Sequence, residues 1–307
     1  MKLHNIKKRF ESGAINKWEY IDEMYAEHAH LFGYAQFLSN TNISAINITD
    51  HKVVMTFRDS NIQFICEQND KRLAPFDTLN FGSYEIEELQ MQLRLMEPHF
   101  NVFDIGGNFG WYALHVAQKL TSGKVFSFEP IPTTFEKLNQ NVELNKMNNI
   151  ATLNYGLGDE NGSFDFYFDP SLSVNASLAN VSANNNIETL KCNVKKMDEV
   201  SLQLTSKVDF IKCDVEGAEL LAFKGGIETI KRDLPIIFTE MLRKWTSKFN
   251  YHPNDIINFL NNQGYACFVI DNNKLQAFGK VDEHTTQTNY IFLHSQSHAK
   301  QIEAFTK

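Results

Sequence analysis

The stretch Asn101-Val102-Phe103-Asp104-Ile105-Gly106-Gly107-Asn108-Phe109-Gly110-Trp111-Tyr112 decides the fold, together with Lys124-Val125-Phe126-Ser127-Phe128-Glu129-Pro130 after it. A short apolar run reaches a carboxylate, a glycine-rich turn follows, then a helical pattern, then a second apolar run ending in Glu129, 25 positions after Asp104. That order describes two adjacent parallel strands with a nucleotide cofactor held across their tips. Gly106, Gly107 and Gly110 have no Cβ, so the chain can turn sharply out of the strand and a ligand can approach the main chain closely.

The acids indicate which cofactor. A pyrophosphate needs a G-x-G-x-x-G frame and a helix N-terminus free of nearby acids, whereas the frame here is D-x-G-G-N-x-G. A carboxylate at Asp104 repels phosphate and suits an ammonium group. S-adenosylmethionine (SAM) carries an α-amino group, a sulfonium and a ribose diol but no phosphate, so an acid at each strand tip matches it better than it matches NAD. Glu129 can accept from both ribose hydroxyls. A tight turn in a nucleotide-free α/β domain would explain the glycines but not two terminal acids at this spacing.

The chain has 307 residues, 43% of them hydrophobic, enough for one large α/β domain with appendages. Its formal net charge of −8 disfavours a broad nucleic-acid footprint, because phosphate contacts need a basic face. The dense basic run Lys7-Lys8-Arg9 reads as a solvated terminus. Four scattered cysteines without a C-x-x-C pair read as reduced core residues, so the expected location is cytoplasmic. No apolar stretch approaches the ~20 residues of a membrane span, and the charged N-terminus lacks a signal-peptide core.

Residues 1–45 predict helices with an uneven apolar stripe of Trp18, Ile21, Tyr25, Leu31, Phe32 and Tyr34, suited to packing, to covering the cofactor or to a subunit contact. Runs at 52–57 and 62–66 around Arg58-Asp59-Ser60-Asn61 predict a hairpin. A helix at 84–96 leads into the strand at 100–105. The pattern then alternates: helix 109–120, strand 124–128, helix 132–147, strands 151–156 and 208–213, helix 218–231, strand 235–239, helix 253–262, and strands at 265–270 and 289–293. Alternation of this kind predicts a parallel sheet covered on both faces, ending in an antiparallel element. Residues 159–200 interrupt it: after Asn161-Gly162, Phe164, Phe166 and Phe168 alternate with polar residues as a strand does. The aperiodic Ser, Asn and Ala of 170–186 then read as a loop over the acceptor.

A second cluster lies in Val208-Asp209-Phe210-Ile211-Lys212-Cys213-Asp214-Val215-Glu216-Gly217-Ala218-Glu219, which sets Asp214, Glu216 and Glu219 at a strand end and the start of a helix, where open α/β sheets bind ligands. Glu240 ends the strand Pro235-Ile236-Ile237-Phe238-Thr239-Glu240.

Taken together these residues resemble the FkbM-type SAM-dependent methyltransferases. The likeness is carried by the D-x-G-x-N-x-G-W-Y turn at 104–112, by Phe128-Glu129-Pro130 with Phe135, Leu138, Asn141 and Asn145, by Leu157-Gly158-Asp159, and by Ile211 to Glu219 with Gly225 and Glu240. It covers about residues 80–240; Gly107 departs from the Ala more usual there. The resemblance implies a doubly wound, Rossmann-like, seven-stranded methyltransferase sheet at 79–307, preceded at 1–78 by a helical and β-hairpin extension. It also implies O-methylation of a hydroxyl on a small molecule or glycan, a sugar or a secondary metabolite. By the same likeness Asp104, Gly106, Asn108, Gly110, Glu129, Pro130 and Asp214 hold SAM, Asp159 reaches the adenine amino group, and Tyr84 and Glu85 close over the methionine end.

Methyl transfer to an alcohol also needs a base or a metal. Asp214 and Glu240 at neighbouring strand tips, with Glu216 nearby, are candidates to hold Mg2+ or to act as base, and His252 is a further candidate base. The main rival is an NAD-dependent oxidoreductase of nucleotide sugars, but none of the ten tyrosines has Lys four positions later. A non-catalytic SAM-binding module is the third reading. No Pro-Pro loop for amino methylation and no Pro-Cys for cytosine methylation is present, which leaves an oxygen acceptor.

Overall fold

The computed structural model describes residues 2–68, 70–168, 177–178 and 187–306. Three helices, α1 (Lys2–Glu11), α2 (Lys17–His28) and α3 (His30–Phe37), precede the strands β1 (Ile43–Ile48), β2 (Val53–Phe57) and β3 (Gln63–Cys66), which pair antiparallel in that order. The expected hairpin is therefore β2–β3, and β1 adds a third strand. Next come α4 (Ala74–Phe81) and α5 (Ile86–Leu95). The expected boundary between extension and catalytic domain, 78/79, falls inside α4.

The alternating part follows: β4 (Asn101–Ile105), α6 (Trp111–Lys119), β5 (Lys124–Phe128), α7 (Pro132–Leu144) and β6 (Ile150–Leu153). A small sheet interrupts it, made of β7 (Gly156–Leu157), β8 (Gly162–Phe168) and β9 (Glu188–Lys195), before α8 (Met197–Leu204). The chain returns through β10 (Phe210–Cys213), α9 (Glu219–Lys224), α10 (Ile227–Asp233) and β11 (Ile236–Glu240). It ends with α11 (Arg243–Thr246), α12 (Pro253–Asn261), β12 (Tyr265–Asp271), β13 (Lys274–Ala277), β14 (Asn289–His294) and α13 (Ala299–Thr306).

Among the described residues the central sheet has eight strands in the order β13-β12-β14-β11-β10-β4-β5-β6. Five neighbours, β11, β10, β4, β5 and β6, are parallel, and β14 is antiparallel to both β11 and β12. The sheet is the doubly wound, Rossmann-like one the sequence predicts, with seven strands extended at the edge by β13. Its strands are continuous apolar runs because both faces are covered: Val102, Phe103, Val125, Phe126, Phe210, Ile211, Ile236 and Ile237 are all buried. The expected helix at 218–231 breaks at Gly225-Gly226 into α9 and α10, since two successive glycines are poor helix formers. The expected strand at 151–156 divides because β7 leaves the central sheet to pair with β9.

Two features position the site. Successive strands run outward from β4 in opposite directions, so a crevice opens between the ends of β4 and β10, at the switch point where such sheets bind ligands. The N-terminal sheet is fastened beside it by asparagine side chains of α7. Asn141 Oδ1 accepts from Ile65 N at 3.0 Å, while Asn145 accepts from Gln63 N at 2.8 Å and donates to Gln63 O at 2.7 Å. Those contacts supply the edge of β3 with partners that a further strand would otherwise give. Buried Phe57, Phe64 and Ile43 then pack on Phe109, Trp111 and Leu114.

Candidate active site

The polar residues inside the buried strands are the starting point. In-register pairing sets Ser127 of β5 beside Asp104 of β4, and Asp104 beside Lys212 of β10, so the three form one lateral row on one face of the sheet. Ser127 Oγ donates to Asp104 Oδ2 at 2.7 Å. Lys212 Nζ lies 3.7 Å from Asp104 Oδ1 and 3.5 Å from Asp214 Oδ2, and donates to Gly106 O at 3.0 Å. Its side chain is only 6% exposed. Burial works against the Lys212 charge, but Asp214, Asp104 and Glu85 outweigh it and hold the ammonium above its ordinary pKa.

Above this row the glycine turn is locked by its own backbone. Gly106 N and Gly107 N both donate to Phe128 O, at 3.0 and 2.9 Å, and Asn108 N donates to Glu129 Oε2 at 2.9 Å. The second Glu129 oxygen accepts from Ile131 N at 2.9 Å. Gly106 has φ +81, and a Cβ there would collide with the Asp214 carbonyl; a Cβ at Gly107 would collide with Ser127 Oγ. Both positions are thus emptied of side chain by protein packing, and Gly107, the departure from the family's Ala, makes room for the Ser127 hydroxyl bound to Asp104. Burial pushes the Glu129 carboxyl up to about 7, its backbone hydrogen bonds offsetting part of that cost.

Of the residues expected to hold the cofactor, Tyr84, Glu85, Gly106, Asn108, Glu129, Pro130 and Asp214 line a single cavity, joined by Glu216. Gly110 lies outside its wall, as do Asp104 and Asp159. Asp104 is 2% exposed and turned down onto Ser127 and Lys212, so the ammonium beside it is the protein's own and it supports the wall from beneath. Asp159 borders a separate depression with Phe164 and Phe249, away from the apolar Leu157 and Phe166 that line the main cavity.

Tyr112 Oη donates to Glu85 Oε2 at 2.7 Å, and the Tyr84 ring stands edge-on to Trp111 at 5.2 Å. Among the described residues, three atoms on this wall are sealed from solvent without a hydrogen-bond partner: Asn108 Oδ1, Trp111 Nε1 and Glu216 Oε2. Buried polar groups are nearly always satisfied, so three such atoms around one cavity point to groups supplied by a ligand.

The acids beyond β10 divide by environment. Glu219 is 1% exposed and accepts from Val215 N and Gly217 N, closing the turn after the strand. Glu216, in the left-handed conformation at φ 55, is pushed well up by burial and by Asp214 and Glu240. Burial, then Asp214 and Glu85, push Glu240 up to about 9. Glu240 therefore favours the protonated form at neutral pH, and Glu216 is shifted in the same direction. His252 is not on the wall: it is the N-cap of α12, exposed, with Nδ1 accepting from Asn254 N at 3.2 Å. That position gives it no contact with the cavity lining.

Mg2+ finds no support here: a divalent ion takes several deprotonated oxygen ligands, whereas Asp214 is paired with Lys212 and burial pushes the carboxyls of Glu240 and Glu216 up. Among the described residues no group of three or more His, Cys, Asp or Glu gathers to hold a metal. The loop 170–186 lies outside the described residues apart from Ser177 and Leu178. Leu178 lines the cavity, and Ser177 Oγ donates to Glu216 O at 2.9 Å.

Lys212, Ser127, Trp111 and Tyr112 are the site residues that sequence reasoning passed over. A lysine inside the apolar strand Phe210-Ile211-Lys212-Cys213 was the available signal, since a buried cation needs partners.

The elevated Glu240 carboxyl has a consequence for stability. Its folded pKa of about 9 exceeds that of an ordinary glutamate, so the native state keeps a proton that the unfolded chain releases, and stability falls as pH rises from near 4.5 toward 9. Glu240→Gln should flatten this decline, raising the thermal midpoint at pH 9 relative to wild type while changing it little at pH 5. Parallel melting curves of the two proteins from pH 5 to 9 check it; identical slopes would mean that Glu240 ionises freely.

The sequence profile of the Methyltransferase FkbM domain matches residues 104–267, just over half the chain. This chain belongs to the FkbM methyltransferase domain family. Curated relatives include Methyltransferase 1 of Beauveria bassiana, 28% identical over 40% of this chain and 57% of that protein. Another is the hexuronic acid methyltransferase AglP of Haloferax volcanii, 28% identical over 46% of this chain and 56% of that one. The matches therefore span less than three fifths of these relatives' lengths. Among solved structures, the methyltransferase FkbM from Methylobacillus flagellatus aligns with a TM-score of 0.41 and 16% identity, covering 64% of this chain and 44% of that one. The membership agrees with the resemblance drawn from residues 104–112 and 211–219. No helix among the described residues is long and apolar enough to cross a membrane.

Proposed function

We propose that the protein transfers the methyl group of SAM to a hydroxyl of a small molecule or glycan, a sugar or a secondary metabolite, with Asp214 as the general base. The observation that carries this reading is the occupancy of the turn's backbone donors. Gly106 N, Gly107 N, Asn108 N and Gly110 N are all committed within the protein. A pyrophosphate cradle needs such donors facing the ligand, and the turn offers none at these four positions to a nicotinamide dinucleotide. SAM needs acceptors, and these are present. Each Glu129 oxygen keeps a second lone pair for a ribose hydroxyl, and the carboxylate of Glu85 suits an ammonium group.

When bound, SAM supplies an electrophilic methyl on a positively charged sulfur. The protein's part is alignment, worth on the order of 7–11 kcal/mol in an in-line displacement, and removal of the acceptor proton. The acceptor oxygen–carbon bond forms, the carbon–sulfur bond breaks, and the hydroxyl proton passes to Asp214. Asp214 fits the task by its place on the wall, where Lys212 orients it; burial pushes the carboxyls of Glu240 and Glu216 toward the protonated form, in which they are poor proton acceptors. Among the described residues Lys212 is the one basic side chain on the wall, and it is committed to carboxylates. An acceptor uncharged near its reacting hydroxyl suits such a wall.

Calorimetry with S-adenosylhomocysteine and with NADH tests the reading: micromolar binding of the first and none of the second is expected. Glu129→Ala should weaken S-adenosylhomocysteine binding by about 1.5–3 kcal/mol, the range for hydrogen bonds to a charged group. Binding of NADH alone would sink the proposal; unchanged affinity in a folded Glu129→Ala protein would place the ribose elsewhere.

A further inference from the structure

We infer that the acceptor carries an anionic group, a carboxylate or a phosphate, which Arg243 and Lys244 hold in a second depression while a hydroxyl of the same molecule faces Asp214. This rests on the methyl-transfer reading above. The depression, of about 480 Å³, is lined by apolar Met241, Leu242 and Val281 and by the polar residues Arg243, Lys244 and 285–288. None of these residues lines the cavity assigned to the donor, so the cofactor has no claim on them.

The sheet sets its place. Pairing of Cys213 with Thr239 brings Asp214 and Glu240 level at the ends of β10 and β11, one strand spacing of about 4.8 Å apart. The depression begins at the next residue, Met241, whose N donates to Thr288 O at 2.8 Å and so fixes the loop before β14 against it. α11, which carries Arg243 and Lys244, is pressed onto the turn that holds Glu216: a Cβ at Gly217 would stand 2.9 Å from the Trp245 carbonyl oxygen. Lys244 is near enough to Glu216 for its charge to offset part of the upward push on that carboxyl. Cavity and depression therefore adjoin across Glu216 and Glu240.

The donors there are open to a ligand. Among the described residues neither Arg243 nor Lys244 is paired with a carboxylate. Arg243 Nη2 donates to Glu283 O at 3.3 Å, which leaves the rest of its guanidinium fork free, and the Lys244 ammonium stands 4.8 Å from the centre of the Trp245 ring. The Thr288 hydroxyl accepts from Asn289 at 3.5 Å and keeps its proton to donate. The acids of the loop do not fill the place: Asp282 Oδ1 accepts from His284 N and Thr285 Oγ1, each at 2.9 Å, and neither Asp282 nor Glu283 lines the depression. A guanidinium beside an ammonium is a fit for carboxylate or phosphate oxygens. The cavity itself repels such a group, since its wall carries Glu85, Asp214 and Glu216 around a lysine already paired. An acceptor charged at one end and methylated at the other satisfies both surfaces. A long polyanion fits poorly, because two cations in one depression of a chain with net charge −8 make no extended basic face.

Calorimetry on the full chain saturated with S-adenosylhomocysteine tests this, with D-glucuronate, glucose-6-phosphate, glucose and inorganic phosphate as probes. One of the two charged sugars should bind roughly tenfold or more tighter than glucose, as hydrogen bonds to charged groups allow, and which one does so tells carboxylate from phosphate. Arg243→Gln with Lys244→Gln should abolish the preference while keeping the thermal midpoint and the affinity for S-adenosylhomocysteine, which shows that the variant is folded. Charged sugars that bind no tighter than glucose overturn the inference, as does a preference that survives in the double variant. Inorganic phosphate binding as tightly as the better charged sugar also overturns it, for the depression would then hold a free anion and take no part in recognising an acceptor. If S-adenosylhomocysteine itself does not bind, it is the methyl-transfer reading that fails, and this inference with it.

Discussion

Lys212→Met is expected to lower the thermal midpoint by about 6–10 °C. Removing one partner of a buried ion pair costs about 3–5 kcal/mol, and about 2 °C accompanies each kcal/mol in a chain of this size. The ammonium binds Asp104, Asp214 and the Gly106 carbonyl at once, so its loss frees the strand tip, the glycine turn and the cavity wall together. Asp104 has nowhere to turn: it is 2% exposed, its second oxygen is held by Ser127, and burial already pushes its carboxyl up. Without Lys212 it should take up a proton. Stability of the variant relative to wild type should therefore be worst at high pH and partly recover as pH falls, a sign opposite to that of a simple packing defect. Lys212→Arg should not restore wild-type behaviour, since a planar guanidinium does not fit a space shaped for a compact ammonium. Melting curves across pH check this; a midpoint within a degree or two of wild type at every pH would show that the pair is dispensable.

The same lysine shows where sequence reading stops. Strand tips, the glycine turn and Glu129 were legible because each obeys a local rule: an apolar run, a turn residue, an acid at a fixed offset. The central sheet followed from strand–helix alternation in the same way. What local rules do not give is lateral register. Asp104, Ser127 and Lys212 are separated by 23 and then 85 residues in the chain, and only in-register pairing of three strands makes them a row. Hence Asp104 looked like a ligand contact when it is the partner of an internal cation. The raised carboxyl pKa values of Glu216 and Glu240 were equally illegible, because they arise from burial and then from the charge of Asp214 beside both. β1 and β9 escaped for another reason: both are half-exposed strands whose apolar residues are diluted by Ser, Asn, Thr, Glu and Lys. His252 was a fair candidate by residue type alone, and its capping contact with Asn254 settles its place.

The second large effect is on turnover. Asp214→Asn should reduce the rate of methyl transfer by about 10²–10⁴-fold, the usual contribution of a positioned general base, while changing affinity for S-adenosylhomocysteine by no more than a few fold. The proposed ribose acceptor, Glu129, lies two strands away in the sheet, so on that reading donor binding does not depend on the charge at 214. Asparagine keeps the shape of the side chain and one acceptor oxygen but cannot take a proton. Glu240→Gln supplies the contrast. Sequence position alone gives the two acids the same standing at neighbouring strand tips, yet Glu240, with its carboxyl pushed up to about 9, is already uncharged at neutral pH. Its amide replacement should leave turnover at pH 7 within a few fold of wild type. EDTA should have no effect on either protein, because the acids around Asp214 are protonated or paired. Initial-rate measurements on wild type and both variants, with and without EDTA, separate the alternatives. If Glu240→Gln is the inactive variant and Asp214→Asn the active one, the base has been assigned to the wrong strand. If EDTA stops the reaction and magnesium restores it, the pairing of Asp214 with Lys212 must give way to a metal when donor and acceptor bind.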